Sequence, residues 1–215
     1  RPPVVALAHQ HPGGSDGPRW ATAVRARLDL ATYRACDLVI TPGPVLADVL
    51  ANHHGLDPDR IAVIEPGCDL PAAEALAPLR GQRRLGLLHV ANWLPNKGVL
   101  ELLDAVAHLP DEDVMLHLVG RTDVDPEYSS RVSERIRRSH VVDRVVVHGA
   151  LDAGAVASLY AAADAFAFPS RVETYGSAAA EALAAGLPIV GWRTPHLGHL
   201  VDDGVEGLLV PAGDI

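Results

Sequence analysis

Lysine is almost missing from this 215-residue sequence: a single one, Lys97, stands against 17 arginines. Cysteine, methionine and the aromatics are also scarce, with two Cys, one Met and 4% Phe, Trp and Tyr together. Each shortage excludes something. Cys36 and Cys68 are isolated thiols with neither Cys-x-x-Cys nor metal-ligand spacing, which argues against a disulfide scaffold and fits a reducing compartment. No window approaches the roughly 18 apolar residues of a membrane span, and no secretory leader pattern is present. No Gly-x-Gly-x-x-Gly follows a strand, so the dinucleotide fingerprint is missing. No basic run exceeds a few residues and the formal net charge is -9, so nucleic acid is not an expected partner. The expectation is a soluble, cytoplasmic protein, with peripheral membrane contact allowed only through parts beyond these residues.

What is present is 48% hydrophobic sequence, enough for one large or two modest domains. Short apolar runs at 4–8, 36–41 and 61–64 read as buried strands, with helices over 20–34 and 45–52 between them. Residues 70–82, rich in Ala, Pro and Arg, carry no strand signal and read as a linker. Beyond it strands at 84–90, 114–120, 145–148, 165–168, 189–192 and 208–211 alternate with helices at 99–109, 127–139, 152–163 and 177–185. Such alternation predicts an α/β fold with parallel sheets covered by helices on both faces, where ligands bind at the carboxyl ends of the strands. The sequence starts at Arg1 without an initiator Met, opens on a strand and stops soon after another, so it reads as an excerpt of a longer chain.

The stretch 166–190 organises the rest. It reads as strand, loop, helix, turn and strand, with Glu173 in the loop before Gly176 and Glu181 about one and a half turns into the helix. At about 1.5 Å per helical residue the two carboxylates are separated by roughly 10 Å. That is too far for an acid/base dyad and suits the two ends of an elongated polar ligand. Between them the backbone N–H groups of Tyr175, Gly176 and Ser177 point out of the helix N-terminus, where the dipole favours an anion such as phosphate. A nucleotide sugar offers hydroxyl, phosphate and hydroxyl in that order; two solvated surface carboxylates are the competing interpretation. Lys97, which with Gly98 opens the helix after the strand 84–90, supplies a compact ammonium for phosphate oxygens; a chance lysine at a helix start is the alternative.

Glu173 and Glu181 with seven residues between them, preceded by Pro169-Ser170 and followed by Ala184-Ala185-Gly186-Leu187-Pro188, resemble the signature of the family four retaining glycosyltransferases of GT-B architecture. The resemblance covers nearly the whole chain. It implies two Rossmann-like domains: residues 1–69 as the end of an incomplete N-terminal, acceptor-side domain, 70–83 as linker, and 84–215 as the C-terminal nucleotide-sugar domain. The turn Pro66-Gly67-Cys68-Asp69 is similar to one that closes the first domain in that family. The family carries a further strand-helix block before the first strand here and closing helices after the last.

For chemistry, the resemblance implies sugar transfer from a UDP- or GDP-linked donor to an acceptor hydroxyl on a glycan, lipid or small molecule, with retained configuration and no cofactor or metal. Glu181 would hold the ribose hydroxyls, Lys97 and the N–H groups around Gly176 and Ser177 the diphosphate, and Glu173 a donor-sugar hydroxyl. His9 at the end of the first strand would help position the donor sugar, with a plain loop histidine as the alternative. Thr174 and Ser177 are candidate partners for donor oxygens, Ser170 for orienting the loop. The family pattern has an arginine where this sequence has Asn92, which removes one positive charge; Arg121 is a candidate substitute or an exposed loop residue. His148 either borders the base or lies on the surface. His196 and His199 depart from the family's Gly-Gly-x-Pro-Glu, and as a metal pair they lack a further ligand. Two other readings are a degenerate domain that binds nucleotide sugar without turnover and a nucleotide-sugar epimerase-like enzyme, the latter lacking its glycine fingerprint.

Overall fold

The computed structural model describes residues 2–14, 19–138 and 140–214. They divide into two compact units, Arg1–Gly67 with Glu173–Tyr175, and Cys68–Val172 with Gly176–Ile215. Among the described residues no helix is long and apolar enough to cross a membrane.

The first unit is a three-stranded parallel sheet in the order β1 (Val5–Leu7), β2 (Leu38–Thr41), β3 (Ile61–Val63). Helix α1 (Arg19–Ala35) connects β1 to β2, and α2 (Pro44–Asp48) follows β2 with Pro44 in its first turn, where a missing N–H costs nothing. The helix predicted over 45–52 is one rod in sequence but changes character in space. Val49–His53 widen into a π turn, closed by His54 N–H on Val49 O at 3.2 Å. The core of this unit is Ala8, Val39, Leu46, Leu50 and Leu56.

The second unit is a six-stranded parallel sheet. Its strands are β4 (Leu85–Val90), β5 (Val114–Val119), β6 (Val145–Gly149), β7 (Ala165–Phe168), β8 (Ile189–Trp192) and β9 (Gly207–Val210). They lie in the order β6-β5-β4-β7-β8-β9. Counted from β4 that order is 3-2-1-4-5-6, so the winding reverses between β4 and β7. Alternation sends successive side chains to opposite faces. Leu88, Phe166 and Phe168 enter one core with α5 (Ala153–Ala162) and α6 (Ser177–Ala184). Leu87, Ala165 and Ala167 enter the other with α3 (Val99–His108) and α4 (Pro126–Arg138). The predicted elements are all present to within about two residues at their ends. The last position of the predicted helix 127–139, Ser139, lies outside the described residues. A short helix, α7 (Leu197–Leu200), was not expected, because Pro195 and Gly198 break the pattern by which helices are read.

Two buried polar assemblies hold the second unit. Arg144, 1% exposed, donates Nη1 to Leu109 O at 2.9 Å and Pro110 O at 2.8 Å, and Nη2 to Val106 O. These are carbonyls at and beyond the C-terminus of α3; Val106 O also accepts Leu109 N–H and Pro110 O also accepts Asp113 N–H, so Arg144 adds to the turn that closes the helix. On the other face His117 Nε2 lies 3.0 Å from Leu79 O and its Nδ1 2.9 Å from His148 Nε2. A carbonyl only accepts, so Nε2 of His117 carries the proton and its Nδ1 receives one from His148. Burial pushes both imidazoles below the usual histidine value, and His148 adds to the shift at His117.

Arg144→Leu is expected to cost about 2–4 kcal/mol, from the charge-assisted hydrogen bonds it removes at the end of α3, read as a lower urea midpoint at unchanged slope. The histidines act on stability in the same direction as a paired carboxylate, at higher pH. Their folded pKa values lie below the unfolded value of about 6.5, so their contribution is intact above that value and lost as pH falls below it toward the folded ones. Urea titrations from pH 8 to 5 should show stability declining, and the double variant His117→Leu, His148→Leu should flatten that decline.

Candidate functional site

The candidate residues fall into two sets, one in each unit. In the first unit His9 is exposed just after β1, and its backbone carbonyl accepts the Thr174 hydroxyl at 2.9 Å. Thr174 therefore has its proton committed and keeps only acceptor capacity for a ligand. Beside it Gly43 is packed so closely that an added Cβ would stand 3.3 Å from Thr174 O and 3.6 Å from the Tyr175 ring. Glu173 and Tyr175 are half-buried. His11, the other candidate near the strand end, is half-buried as well, and burial together with His54 lowers its pKa.

In the second unit two loops leave adjacent strands at the switch point. The loop after β4 carries Asn92, Lys97 and Gly98, and the loop after β7 leads to Gly176, Ser177 and α6. Both were picked out from sequence; what holds them together was not. Arg171 N–H donates to Asn96 O at 2.8 Å, its guanidinium reaches Glu101 Oε1 at 2.8 Å, and the same group lies 4.9 Å from the Trp192 ring centroid. Gly98, at φ +72°, has the Pro169 carbonyl where a Cβ would stand. Lys97 thus sits on a short 3₁₀ turn, Pro95–Lys97, pressed against the β7 loop.

Gly176, at φ +100°, precedes α6 without any side-chain cap, so the first N–H groups of that helix are offered to a ligand. Glu181 is held from behind by Tyr160, whose hydroxyl lies 3.1 Å from Oε2. Ser177 is exposed and Ser170 is buried, its hydroxyl without a hydrogen-bond partner among the described residues.

The remaining candidates are tied to neighbours. Asn92 accepts the Arg121 N–H through Oδ1 at 3.0 Å, so it braces the β4 and β5 loops. Arg121 grips Asp123 with both branches, at 3.0 and 3.1 Å, which raises its own pKa and lowers that of Asp123. A guanidinium neutralised in this way is a poor stand-in for a missing cation. His148 is engaged with His117 as described. His196 is buried, its Nε2 3.1 Å from Thr194 Oγ1 and its ring against Phe168, while His199 is exposed. Among the described residues no group of three metal-ligating side chains forms.

Arg171, Trp192 and Tyr160 escaped the sequence reading because single aromatic and arginine residues carry no spacing signal. The glycine that fixes Lys97 gives a direct test. Gly98→Ala should cost more than about 2 kcal/mol, whereas Gly186→Ala, also at positive φ but facing open space, should cost only the roughly 1–2 kcal/mol of left-handed strain. Denaturant midpoints of the two variants check the difference.

A family model described as glycosyl transferases group 1 matches residues 84–215, and one described as Glycosyltransferase Family 4 matches residues 1–71. The chain is 34% identical over 193 residues to a D-inositol 3-phosphate glycosyltransferase of Xylanimonas cellulosilytica, covering 84% of this chain and 46% of that protein. It is 33% identical to a mannosylfructose-phosphate synthase of Agrobacterium fabrum, over 77% of this chain and 40% of the other. It spans less than half the length of these curated relatives. Anabaena HepE, solved with UDP and glucose, shares the fold at TM-score 0.85 and 23% identity, over 99% of this chain and 58% of that one. Sucrose-phosphate synthase of Thermosynechococcus elongatus aligns at TM-score 0.79 and 25% identity, over 98% and 55%. The α/β expectation with parallel sheets is met, and the chain belongs to the group 1 glycosyl transferases of GT-B architecture.

Proposed function

We propose that the intact protein transfers a sugar, with retained anomeric configuration, from a nucleoside-diphosphate sugar to an acceptor hydroxyl. The observation that carries this reading is the convergence at one switch point of an uncapped helix N-terminus, a lysine turn and a carboxylate fixed one and a half turns into the helix. In this reading the diphosphate faces the first N–H groups of α6 and the Lys97 ammonium, the ribose hydroxyls bind Glu181, and Glu173 takes a donor-sugar hydroxyl. His9 helps to place the donor sugar. Charge grows on the phosphate oxygen as the glycosidic bond breaks, and fixed dipoles aimed at it lower the barrier without reorganising. The leaving phosphate accepts the proton of the incoming hydroxyl on the same face, so no protein nucleophile is required, and no cofactor is assigned.

The names of the two relatives support a hydroxyl acceptor, and the UDP bound to HepE makes uridine the first base to try. One observation favours a second reading, binding without turnover: Asn92 brings no charge and Arg121 is neutralised by Asp123.

Calorimetric titration of the intact protein with UDP and, separately, GDP tests the site. One nucleotide should bind saturably, and Glu181→Ala and Lys97→Ala should each weaken it about tenfold or more, the scale of one or two lost charge-assisted hydrogen bonds. No binding of either nucleotide, or binding indifferent to both substitutions, would sink the assignment. Product analysis with the matching sugar donor then separates transfer from mere binding.

A further inference from the structure

We propose that Tyr160 is the positioning residue for ribose recognition: its hydroxyl fixes one oxygen of the Glu181 carboxylate so that the other faces the ligand. This rests on the reading of Glu181 given above. Tyr160 lies on α5 and is 0% exposed, packed against Phe166 at 5.6 Å between ring centroids. Its hydroxyl is 3.1 Å from Glu181 Oε2 and 3.1 Å from Ala178 O. A phenol has one proton and two acceptors compete for it here. The ionised carboxylate is the stronger acceptor, and the carbonyl also belongs to the helical ladder of α6. The proton therefore goes to Glu181.

Three consequences follow from this arrangement. The carboxylate loses the rotation that an unrestrained glutamate on a helix keeps, so a ligand that binds it has less side-chain entropy to overcome. With Oε2 occupied, Oε1 is left to accept hydroxyls, which suits the adjacent pair on a ribose. The donor is also permanent. Burial and the Glu181 charge both push the Tyr160 pKa up, so the phenol keeps its proton. Cys68, which also feels the Glu181 charge, is pushed up as well by burial, Glu181 and Asp69.

The device joins two helices that lie on either side of β7 in the sequence, so its geometry is set by the core and not by the loop that carries Glu173. It predicts a selective defect. Tyr160→Phe keeps the ring and its packing and removes one oxygen; circular dichroism and a thermal melt confirm that the variant folds. The probes are the ribonucleoside diphosphate that the protein binds and its 2′,3′-dideoxy counterpart, which lacks both hydroxyls, titrated against the wild type, Tyr160→Phe, Glu181→Ala and the double variant.

The wild type should prefer the ribonucleotide about tenfold or more, the ratio expected for hydroxyls paired to a charged group. Tyr160→Phe should reduce that ratio to within about threefold, leave the affinity for the dideoxy nucleotide unchanged, and add nothing in the Glu181→Ala background. A preserved ratio in Tyr160→Phe, or equal weakening of both nucleotides, overturns the proposal, the latter marking a purely structural tyrosine. If Glu181→Ala itself preserves the ratio, the ribose reading of Glu181 fails and this inference fails with it. A lost ratio in Glu181→Ala beside an intact one in Tyr160→Phe leaves that reading standing and removes only the role of the tyrosine.

Discussion

The pairing of β4 with β7, Leu87 opposite Ala165 and Leu88 opposite Phe166, is the constraint on which the second unit depends. The two strands are distant in sequence, and the chain reaches them by winding first outward through β5 and β6, then back. Their amino ends are pinned by Asp164, which accepts Gly86 N–H at 2.8 Å and an Arg80 Nη1 at 2.6 Å. Gly86 is required there, because a Cβ would stand 2.6 Å from Arg80 N. With the amino ends fixed, the carboxyl ends deliver the Lys97 turn and the Gly176 helix start side by side. A slip of one residue would send Leu88 and Phe166 to the wrong core and carry both loops out of place.

In the proposed reading the second unit binds a diphosphate within a chain of net charge -9. It does so without a cluster of cations. Local dipoles at a helix start act over a few ångströms, whereas net charge is screened beyond about 10 Å. Where a second cation stands near, at Arg121, it is cancelled by Asp123 at once. In the proposed reading most of the recognition of phosphate therefore falls to backbone N–H groups and to Lys97. A lysine suits that place, since its compact charge sits on a turn with the Pro169 carbonyl against the next residue.

Buried polar groups do the bracing. Arg144 closes the end of α3, the His117 and His148 pair ties Leu79 to β5, Asn92 joins two loops, and Tyr160 restrains Glu181. Each is paired with carbonyls, with a backbone N–H or with a partner side chain, and Nε of Arg144 is the one buried side-chain atom among them left without a hydrogen-bond partner among the described residues.

Much of this was legible in the sequence, because it follows from local rules. Among the described residues, apolar runs and helical spacing placed every strand and all but one α-helix, proline and glycine marked the turns, and the order of elements implied a parallel sheet. The family signature around Glu173 and Glu181, with Lys97, was equally local. What the tertiary structure alone decided is which groups face one another: Arg171 with Glu101 and Trp192, Tyr160 with Glu181, and Arg121 with Asp123 instead of a free cation. Periodicity records which side of an element is apolar. It carries no record of the partner a buried phenol or guanidinium will meet, because that partner is chosen by the packing of elements far apart in the chain.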